Sequence, residues 1–148
     1  MTAALAIALV VFDQLAKYLV SSTMALGNSI PVLPGIFHIT YIQNPGAAFG
    51  ILANQRWVFI AAGVAILILS AWFYPRLRQE SCWIRYGGAL LLGGAVGNLI
   101  DRIWLGQVID FFDFRVWPVF NIADIGIVVG VSCILYELIC RNGAKGTE

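Results

Sequence analysis

Four long apolar segments constrain the fold of this 148-residue chain more than any other feature of its sequence. They run approximately over residues 2–22, 57–74, 86–105 and 120–140. About 20 helical residues, at a rise of about 1.5 Å each, cover the roughly 30 Å apolar core of a bilayer. Because lipid offers no hydrogen-bond partners to the backbone, such segments must be helices. We therefore predict an all-α membrane protein, in which residues 1–148 form a single integral membrane domain with four transmembrane helices.

The composition agrees with a membrane protein and argues against other classes. Hydrophobic residues make up 60% of the chain and charged residues 11%, against about 45–50% and about 25% in soluble domains. A net charge of +1 without a basic run gives no reason to expect nucleic acid as a partner. The three cysteines lack C-x-x-C spacing, which disfavours a disulfide framework or a zinc site. The apolar run 3–12 lacks a preceding basic residue and a following cleavage signal, so we interpret it as a retained span.

Basic residues outside the apolar cores of the spans predict the orientation in the membrane. The loop 75–85 and the C-terminal tail carry five of them, namely Arg76, Arg78, Arg85, Arg141 and Lys145. The segments 24–56 and 106–119 carry only Arg56 and Arg115. Because an excess of positive charge marks the cytoplasmic side, we predict cytoplasmic termini and place both of these segments outside the cytoplasm.

The two outer segments combine turn signals with apolar residues. In segment 24–56, proline and glycine turns bracket I-F-H-I-T-Y-I (36–42), whose alternation predicts a short strand or two. A small extracytoplasmic β-sheet on the membrane surface would keep the apolar side chains of this segment from water: Ile36, Phe37, Ile39, Tyr41, Phe49, Ile51 and Leu52. We interpret the aromatic segment 106–119 as a loop at the membrane interface, where tryptophan and phenylalanine collect.

Glycine pairs predict where helices approach closely. Gly93 and Gly97 in the third span, and Gly126 and Gly130 in the fourth, have G-x-x-x-G spacing. This spacing favours packing of the third helix against the fourth or against another partner.

Ionisable side chains within the spans are functional candidates, because each costs at least a few kcal/mol to place in lipid. Asp13 and Lys17 are four residues apart and can form a structural ion pair on one helix face. Asn98 shares a helix face with Asp101 and Arg102. This trio predicts either a polar pocket near the outer surface or a snorkelling arginine with satisfied neighbours.

Asn121 and Asp124, at the start of the fourth segment, allow two interpretations. An asparagine cap followed three positions later by an acidic residue resembles a capping box and suits the positive end of a helix. A cap does not require aspartate at the lipid boundary, however, which favours a functional role. Asp110 and Asp113 lie in the outer segment, and the residues alone do not rank one above the other.

The remaining reactive side chains favour aspartate chemistry. The only histidine, His38, is predicted on the opposite side from Cys82 and Cys140, so a Cys-His pair has little support, and a zinc site would need carboxylates and one histidine. Two aspartates in one site cannot both ionise readily, so one keeps a proton while the other acts as general base on water. Such a pair hydrolyses an amide without a metal or a covalent intermediate.

Five motifs occur in order along the chain: F-D-Q-L-A-K (12–17), N-P-G-A-A-F-G (44–50), G-G-A-V-G-N-L-I-D-R (93–102), V-I-D-F (108–111) and F-N-I-A-D (120–124). Together they resemble the lipoprotein signal peptidases, the signal peptidase II family of bacterial membrane aspartyl proteases. The resemblance extends over essentially the whole chain. Five ordered motifs are far more specific than any one of them.

The resemblance implies that Asp110 and Asp124 are the catalytic pair, and it ranks Asp110 above Asp113. It also implies a set of polar residues that line or support the site: Asn44, Asn98, Arg102 and Asn121 around the substrate, with Asp13 and Asp101 in supporting roles. The implied activity is cleavage of diacylglyceryl-modified prolipoproteins just before the lipidated cysteine, at the outer face of the bacterial inner membrane. Membrane lipid and globomycin-type inhibitors are implied partners, and no cofactor or metal is implied.

Other function classes stay open on the residues alone. A non-enzymatic proton or ion carrier could use Asp13, Lys17, Asp101 and Asp124 as a relay. A relay needs carboxylates distributed through the depth of the membrane, whereas Asp101, Asp110 and Asp124 are predicted to cluster at one face. A purely structural membrane subunit would tolerate replacement of each aspartate singly.

Overall fold

The computed structural model of the protein describes residues 2–46 and 54–145, with side chains as far as Cys140. It contains four helices, α1 (Thr2–Thr23), α2 (Arg56–Leu77), α3 (Cys82–Trp104) and α4 (Ile122–Lys145). Three strands, β1 (Ser29–Leu33), β2 (Phe37–Asn44) and β3 (Val108–Asp113), lie in the connections α1–α2 and α3–α4. The predicted combination of a helical protein with a small sheet is confirmed.

Three of the helices are long and apolar enough to cross a membrane, namely α1, α2 and α4 as far as Cys140. Most of their side chains lie on the protein surface, as expected for helices that contact lipid. α3 is long enough with 23 residues, but it is less apolar because it contains five glycines and three charged residues. The prediction of four spans is therefore confirmed for three helices.

α3 is the central helix, and the other three helices pack against it. Its most extensive contact is with α4, and glycine makes this approach possible. A side-chain carbon on Gly94 would collide with the backbone carbonyl of Ala123. The predicted packing of the third helix against the fourth is confirmed, although Gly93 faces Ala6 of α1 and not α4.

α2 packs against α3 but, among the described residues, has no extensive contact with α1 or α4. Two cavities therefore flank α2 on the surface of α3. One, of about 690 Å³, lies between α2 and α4 near the sheet. The other, of about 360 Å³, lies between α1 and α2 at the opposite end of the bundle.

The three strands form an antiparallel sheet in the order β1-β2-β3. Tyr41 of β2, with Ile109 and Phe111 of β3, packs against Val20 near the end of α1 to form a small core. The predicted strand within 36–42 is confirmed. The interpretation of 106–119 as a loop is wrong for β3, because its valine, isoleucine and phenylalanine side chains bury readily beneath a sheet.

The apolar residues of segment 24–56 are not uniform in their surroundings. Tyr41 is buried in the core beneath the sheet, whereas Ile36 is exposed at the tip between β1 and β2. Phe37 and Ile39 are half-buried. Phe49, Ile51 and Leu52 lie outside the described residues, as does most of the motif that follows Asn44.

The connection between α2 and α3 is shorter than predicted. α2 continues through Pro75 to Leu77, and α3 begins at Cys82, where the hydroxyl of Ser81 accepts a hydrogen bond from the N–H of Ile84. The arginines of the predicted cytoplasmic loop, Arg76, Arg78 and Arg85, therefore stand at or beside the ends of two helices. The side chains of Arg141 and Lys145 lie beyond the described part of the chain.

Candidate active site

Asp110 and Asp124 reach the same cavity from different elements. Asp110 belongs to β3, and Asp124 lies in the first turn of α4. Both line the cavity of about 690 Å³ between α2 and α4. Asp110 is only 2% exposed, whereas Asp124 is half-buried. The two carboxyl groups therefore share one cavity but differ in how far they are removed from solvent.

Asn121 and Asp124 form a reciprocal cap at the start of α4. The backbone N–H of Asp124 donates to Oδ1 of Asn121 at 2.9 Å, and the backbone N–H of Asn121 donates to Oδ2 of Asp124 at 3.2 Å. A capping box of this kind satisfies helix N–H groups that have no partner within the helix. The capping interpretation is confirmed, and the same carboxyl group that caps the helix also lines the cavity.

The side-chain amide of Asn121 connects this cap to Asp110. Its Nδ2 donates to Oδ1 of Asp110 at 2.6 Å, and Nδ2 of Asn44 donates to Oδ2 of Asp110 at 3.0 Å. Asn121 is completely buried. One amide thus fixes the start of α4 and one oxygen of the carboxyl group on β3.

Burial, together with the neighbouring charge of Asp124, raises the pKa of Asp110 to about 7. The hydrogen bonds from Asn44 and Asn121 oppose this shift but do not outweigh it. A carboxyl group with this pKa holds a proton for about half the time near neutral pH. Asp110 can therefore act as a proton donor under physiological conditions.

Asn98 links Asp124 to a buried ion cluster formed by Asp13, Lys17 and Asp101. Its Nδ2 donates to Oδ1 of Asp124 at 2.7 Å, while its Oδ1 accepts hydrogen bonds from Nζ of Lys17 at 3.1 Å and from Nδ2 of Asn121 at 3.1 Å. Two donors on Oδ1 fix which end of the amide is oxygen. The Asn98 N–H group is thereby directed at Asp124.

Lys17 lies at the centre of the ion cluster and is 2% exposed. Its Nζ is 2.8 Å from Oδ2 of Asp13 and 2.9 Å from Oδ2 of Asp101. Nε2 of Gln14 lies within 3.2 Å of both carboxyl groups. The predicted ion pair of Asp13 with Lys17 is confirmed, but it extends to α3 and is not confined to α1.

Asp13 and Asp101 also hold the backbone beside the two candidate catalytic residues. Oδ1 of Asp13 accepts a hydrogen bond at 2.9 Å from the N–H of Ala123, which precedes Asp124. Oδ2 of Asp101 accepts one at 3.1 Å from the N–H of Ile109, which precedes Asp110. Each carboxylate of the ion cluster therefore anchors one element of the site.

Arg102 lies on the wall of the cavity. Its guanidinium donates to the backbone carbonyl of Gly46 at 3.2 Å and to that of Asn98 at 3.4 Å, and its Cζ lies 4.5 Å from the ring centroid of Phe59. The predicted pocket is confirmed for Asn98 and Arg102, which line the cavity, whereas Asp101 contacts Lys17 and the N–H of Ile109 instead. Arg102 joins α2, α3 and the segment after β2 at the cavity.

Asp113 differs from Asp110 in its partners, although both belong to β3. Oδ2 of Asp113 accepts a hydrogen bond from the hydroxyl of Thr40 at 2.7 Å and is 3.0 Å from Nη1 of Arg115. Burial opposes ionisation, but the bonds from Thr40 and Arg115 outweigh it and lower the pKa of Asp113. This carboxylate is ionised near neutral pH and does not line the cavity.

Sequence reasoning missed two features of this site. One is the position of Gln14 beside Asp13 and Asp101, and the other is the contact of Lys17 with Asn98. Gln14 and Lys17 both belong to α1, which reaches the aspartates of the other elements only through tertiary packing.

Within residues 2–46 and 54–140, no three histidine, cysteine, aspartate or glutamate side chains are grouped as ligands of a metal ion.

The chain matches a known family over most of its length. The family described as Signal peptidase (SPase) II matches residues 5–140. A lipoprotein signal peptidase of Moorella thermoacetica is 47% identical over 146 residues, with 97% of this chain and 96% of that protein covered. One of Halothermothrix orenii is 43% identical over 129 residues, with 87% and 88% covered.

Solved structures agree with this match. A bacterial membrane enzyme determined at 2.3 Å by the in meso method superposes with a TM-score of 0.92 at 35% identity, covering 99% of this chain and 92% of that one. A second, determined at 1.9 Å, gives a TM-score of 0.83 at 37% identity, covering 93% and 91%.

Proposed function

The chain belongs to the signal peptidase II family and is an aspartic peptidase, and we propose that Asp110 and Asp124 are its catalytic pair. Its substrates in this proposal are diacylglyceryl-modified prolipoproteins, cleaved immediately before the lipidated cysteine. The alternative of a non-enzymatic proton or ion carrier is not supported by the family or by the relatives.

One observation carries the assignment of the pair: both carboxyl groups line one cavity, and Asn121 and Asn98 each donate a hydrogen bond to one of them. No other pair of acidic residues among the described ones lines this cavity. In this proposal the cavity beside the two aspartates holds the attacking water molecule and the scissile peptide bond.

In the proposed reaction, ionised Asp124 takes a proton from water as the water oxygen attacks the scissile carbonyl carbon. Protonated Asp110 gives its proton to the carbonyl oxygen, which forms a neutral tetrahedral diol. In the collapse of the diol, ionised Asp110 takes a proton back from one diol hydroxyl as the C–N bond breaks, and the proton now on Asp124 moves to the leaving nitrogen. We assign the initial proton to Asp110 because it is the more buried of the two, and burial disfavours its charged form.

The surrounding cavity supports a substrate that remains partly in lipid. Most of its lining is apolar, from residues of α2 and α4 such as Ile66 and Val128, and Val128 is 65% exposed toward the surroundings of the bundle. A signal helix and its diacylglyceryl chains would stay in the bilayer while the scissile amide enters between α2 and α4. Arg102 and Asn44, at the polar end, would hold the substrate backbone.

The proposed membrane arrangement follows from the distribution of basic residues. α3 would form the fourth span, and residues 1–148 would be a single domain of the bacterial inner membrane. Both termini would be cytoplasmic, since Arg76, Arg78 and Arg85 stand at that end. The sheet and the catalytic pair would lie at the outer face.

The decisive experiment is cleavage of a lipidated prolipoprotein by the purified enzyme in detergent. Asp110→Asn and Asp124→Asn should each abolish turnover, since each variant keeps the shape of the side chain but cannot ionise. Asp113→Asn is the matched control on the same strand and should cleave at close to the wild-type rate. Normal turnover by either catalytic variant would refute the pair.

We also propose that globomycin-type inhibitors occupy this cavity, and unchanged cleavage at saturating globomycin would contradict that assignment.

A further inference from the structure

A second cavity lies at the end of the bundle opposite the catalytic pair. It has a volume of about 360 Å³ and is lined by α1, α2, the start of α3 and one residue of α4. Its walls are mainly apolar, with Ala6, Leu69 and Leu92 among the lining residues. No catalytic or supporting residue named above contributes to it.

A glycine of α3 borders open space in this cavity. Gly88 lines the cavity, and a side-chain carbon built on it would meet no atom within 4 Å. The neighbouring Gly87 is different, because a side-chain carbon there would lie 2.7 Å from a backbone carbonyl of α4. Close helix packing explains Gly87 but does not explain Gly88.

Positive charge borders the cavity. Arg78, just after α2, and Arg85, near the start of α3, both line it. The start of α3 adds the partial positive charge of a helix N-terminus. Glu80, in the same connection, is not among the lining residues. An apolar cavity with two guanidinium groups matches a ligand that has a hydrocarbon chain and an anionic head.

We propose that this cavity binds an anionic glycerophospholipid, with an acyl chain beside Gly88 and the phosphate between Arg78 and Arg85. The two exposed arginines would repel the basic N-terminal part of a signal peptide and attract the phosphate of a lipid. A lipid therefore fits this cavity better than the substrate does. Arginine binds phosphate oxygens through several N–H groups at once. Anionic lipid headgroups also favour basic residues at the cytoplasmic surface.

The test compares retention of phosphatidylglycerol with that of phosphatidylcholine on the detergent-purified protein, by native mass spectrometry and by the unfolding midpoint. The wild type should retain phosphatidylglycerol with a preference of roughly tenfold or more. The double variant Arg78→Ala/Arg85→Ala should lose this preference. Arg76→Ala is the matched control, because Arg76 lies over the ring of Phe73 and does not line the cavity.

Gly88→Leu tests the acyl chain separately from the headgroup. Leucine should extend into the open space and reduce retention of both lipids, while prolipoprotein cleavage stays unchanged because the catalytic pair is at the other end of the bundle. Equal retention of the two lipids by the wild type, or equal loss in Arg76→Ala, would overturn the proposal. So would full retention in Gly88→Leu, or stabilisation by inorganic phosphate alone to the same extent as by phosphatidylglycerol.

Discussion

Asp13 on α1 accepts a hydrogen bond from the backbone N–H of Ala123 on α4, at 2.9 Å and across 110 positions of the sequence. Ala123 is fully buried and directly precedes Asp124. The position of the proposed general base therefore depends on a carboxylate near the other end of the chain. Lys17 neutralises that carboxylate and also contacts Asn98, the amide that donates to Asp124. The ion cluster and the proposed catalytic pair thus form one connected network.

Lys17→Met should destabilise the protein strongly. The substitution keeps most of the side-chain volume but leaves Asp13 and Asp101 buried together without their cation. Breaking a buried pair in this way costs about 3–5 kcal/mol. Thermal unfolding in detergent measures the effect. Arg115→Met is the control, since Arg115 is about half exposed beside Asp113 and such pairs contribute at most about 1 kcal/mol. Similar losses in both variants would contradict the central role of Lys17.

Asn121→Ser should separate the two roles of Asn121. Serine is a good N-cap residue, so the start of α4 should be retained, and the protein should lose only the about 1–3 kcal/mol that buried acceptors without a donor cost. Serine does not reproduce the Nδ2 donor to Asp110, and prolipoprotein cleavage should fall by roughly 10- to 100-fold. Asn121→Ala should lose both functions. Cleavage by Asn121→Ser at the wild-type rate would show that the bond to Asp110 is dispensable.

Asp110→Asn should stabilise the protein at neutral and alkaline pH. Because burial raises the pKa of Asp110 to about 7, the folded state binds a proton more tightly than the unfolded state does. That contribution is fully present below the unfolded pKa of about 3.9 and is lost as the pH rises through about 7. The variant should therefore match the wild type near pH 4 and exceed it by at most about 4 kcal/mol above pH 7. Unfolding midpoints from pH 4 to 9 test this, and a difference that shrinks with rising pH would exclude the assigned direction.

Two glycines of α3 should respond oppositely to alanine. Gly88→Ala should be neutral or stabilising by up to about 1 kcal/mol, since alanine favours the helix and meets no neighbour. Gly94→Ala should destabilise by about 1–3 kcal/mol, because its side-chain carbon would collide with the carbonyl of Ala123. Thermal unfolding of both variants gives the comparison. Tolerance at Gly94 would mean that α3 and α4 can separate freely beside Asp124.

Features governed by local pattern could be predicted well. Apolar length located α1, α2 and α4, and the spacing of Asn121 and Asp124 predicted the capping box. The spacing of Asp13 and Lys17 predicted their ion pair. β3 was missed because two aspartates interrupt a short apolar stretch, and their partners, Asn44 and Thr40, lie on β2, 66 and 73 positions earlier in the sequence.

The sequence by itself determined the membrane character, the family and the short list of acidic residues, because composition, helix periodicity and motif order are local properties of the chain. Only the tertiary structure decided which atoms those residues present to one another. It placed Asp110 in a buried setting that retains a proton, gave Asp113 a solvent-facing arginine, and brought Lys17 to Asn98. Those outcomes depend on desolvation and on hydrogen bonds between distant segments, which exist only after α1, α4 and β3 have packed around α3.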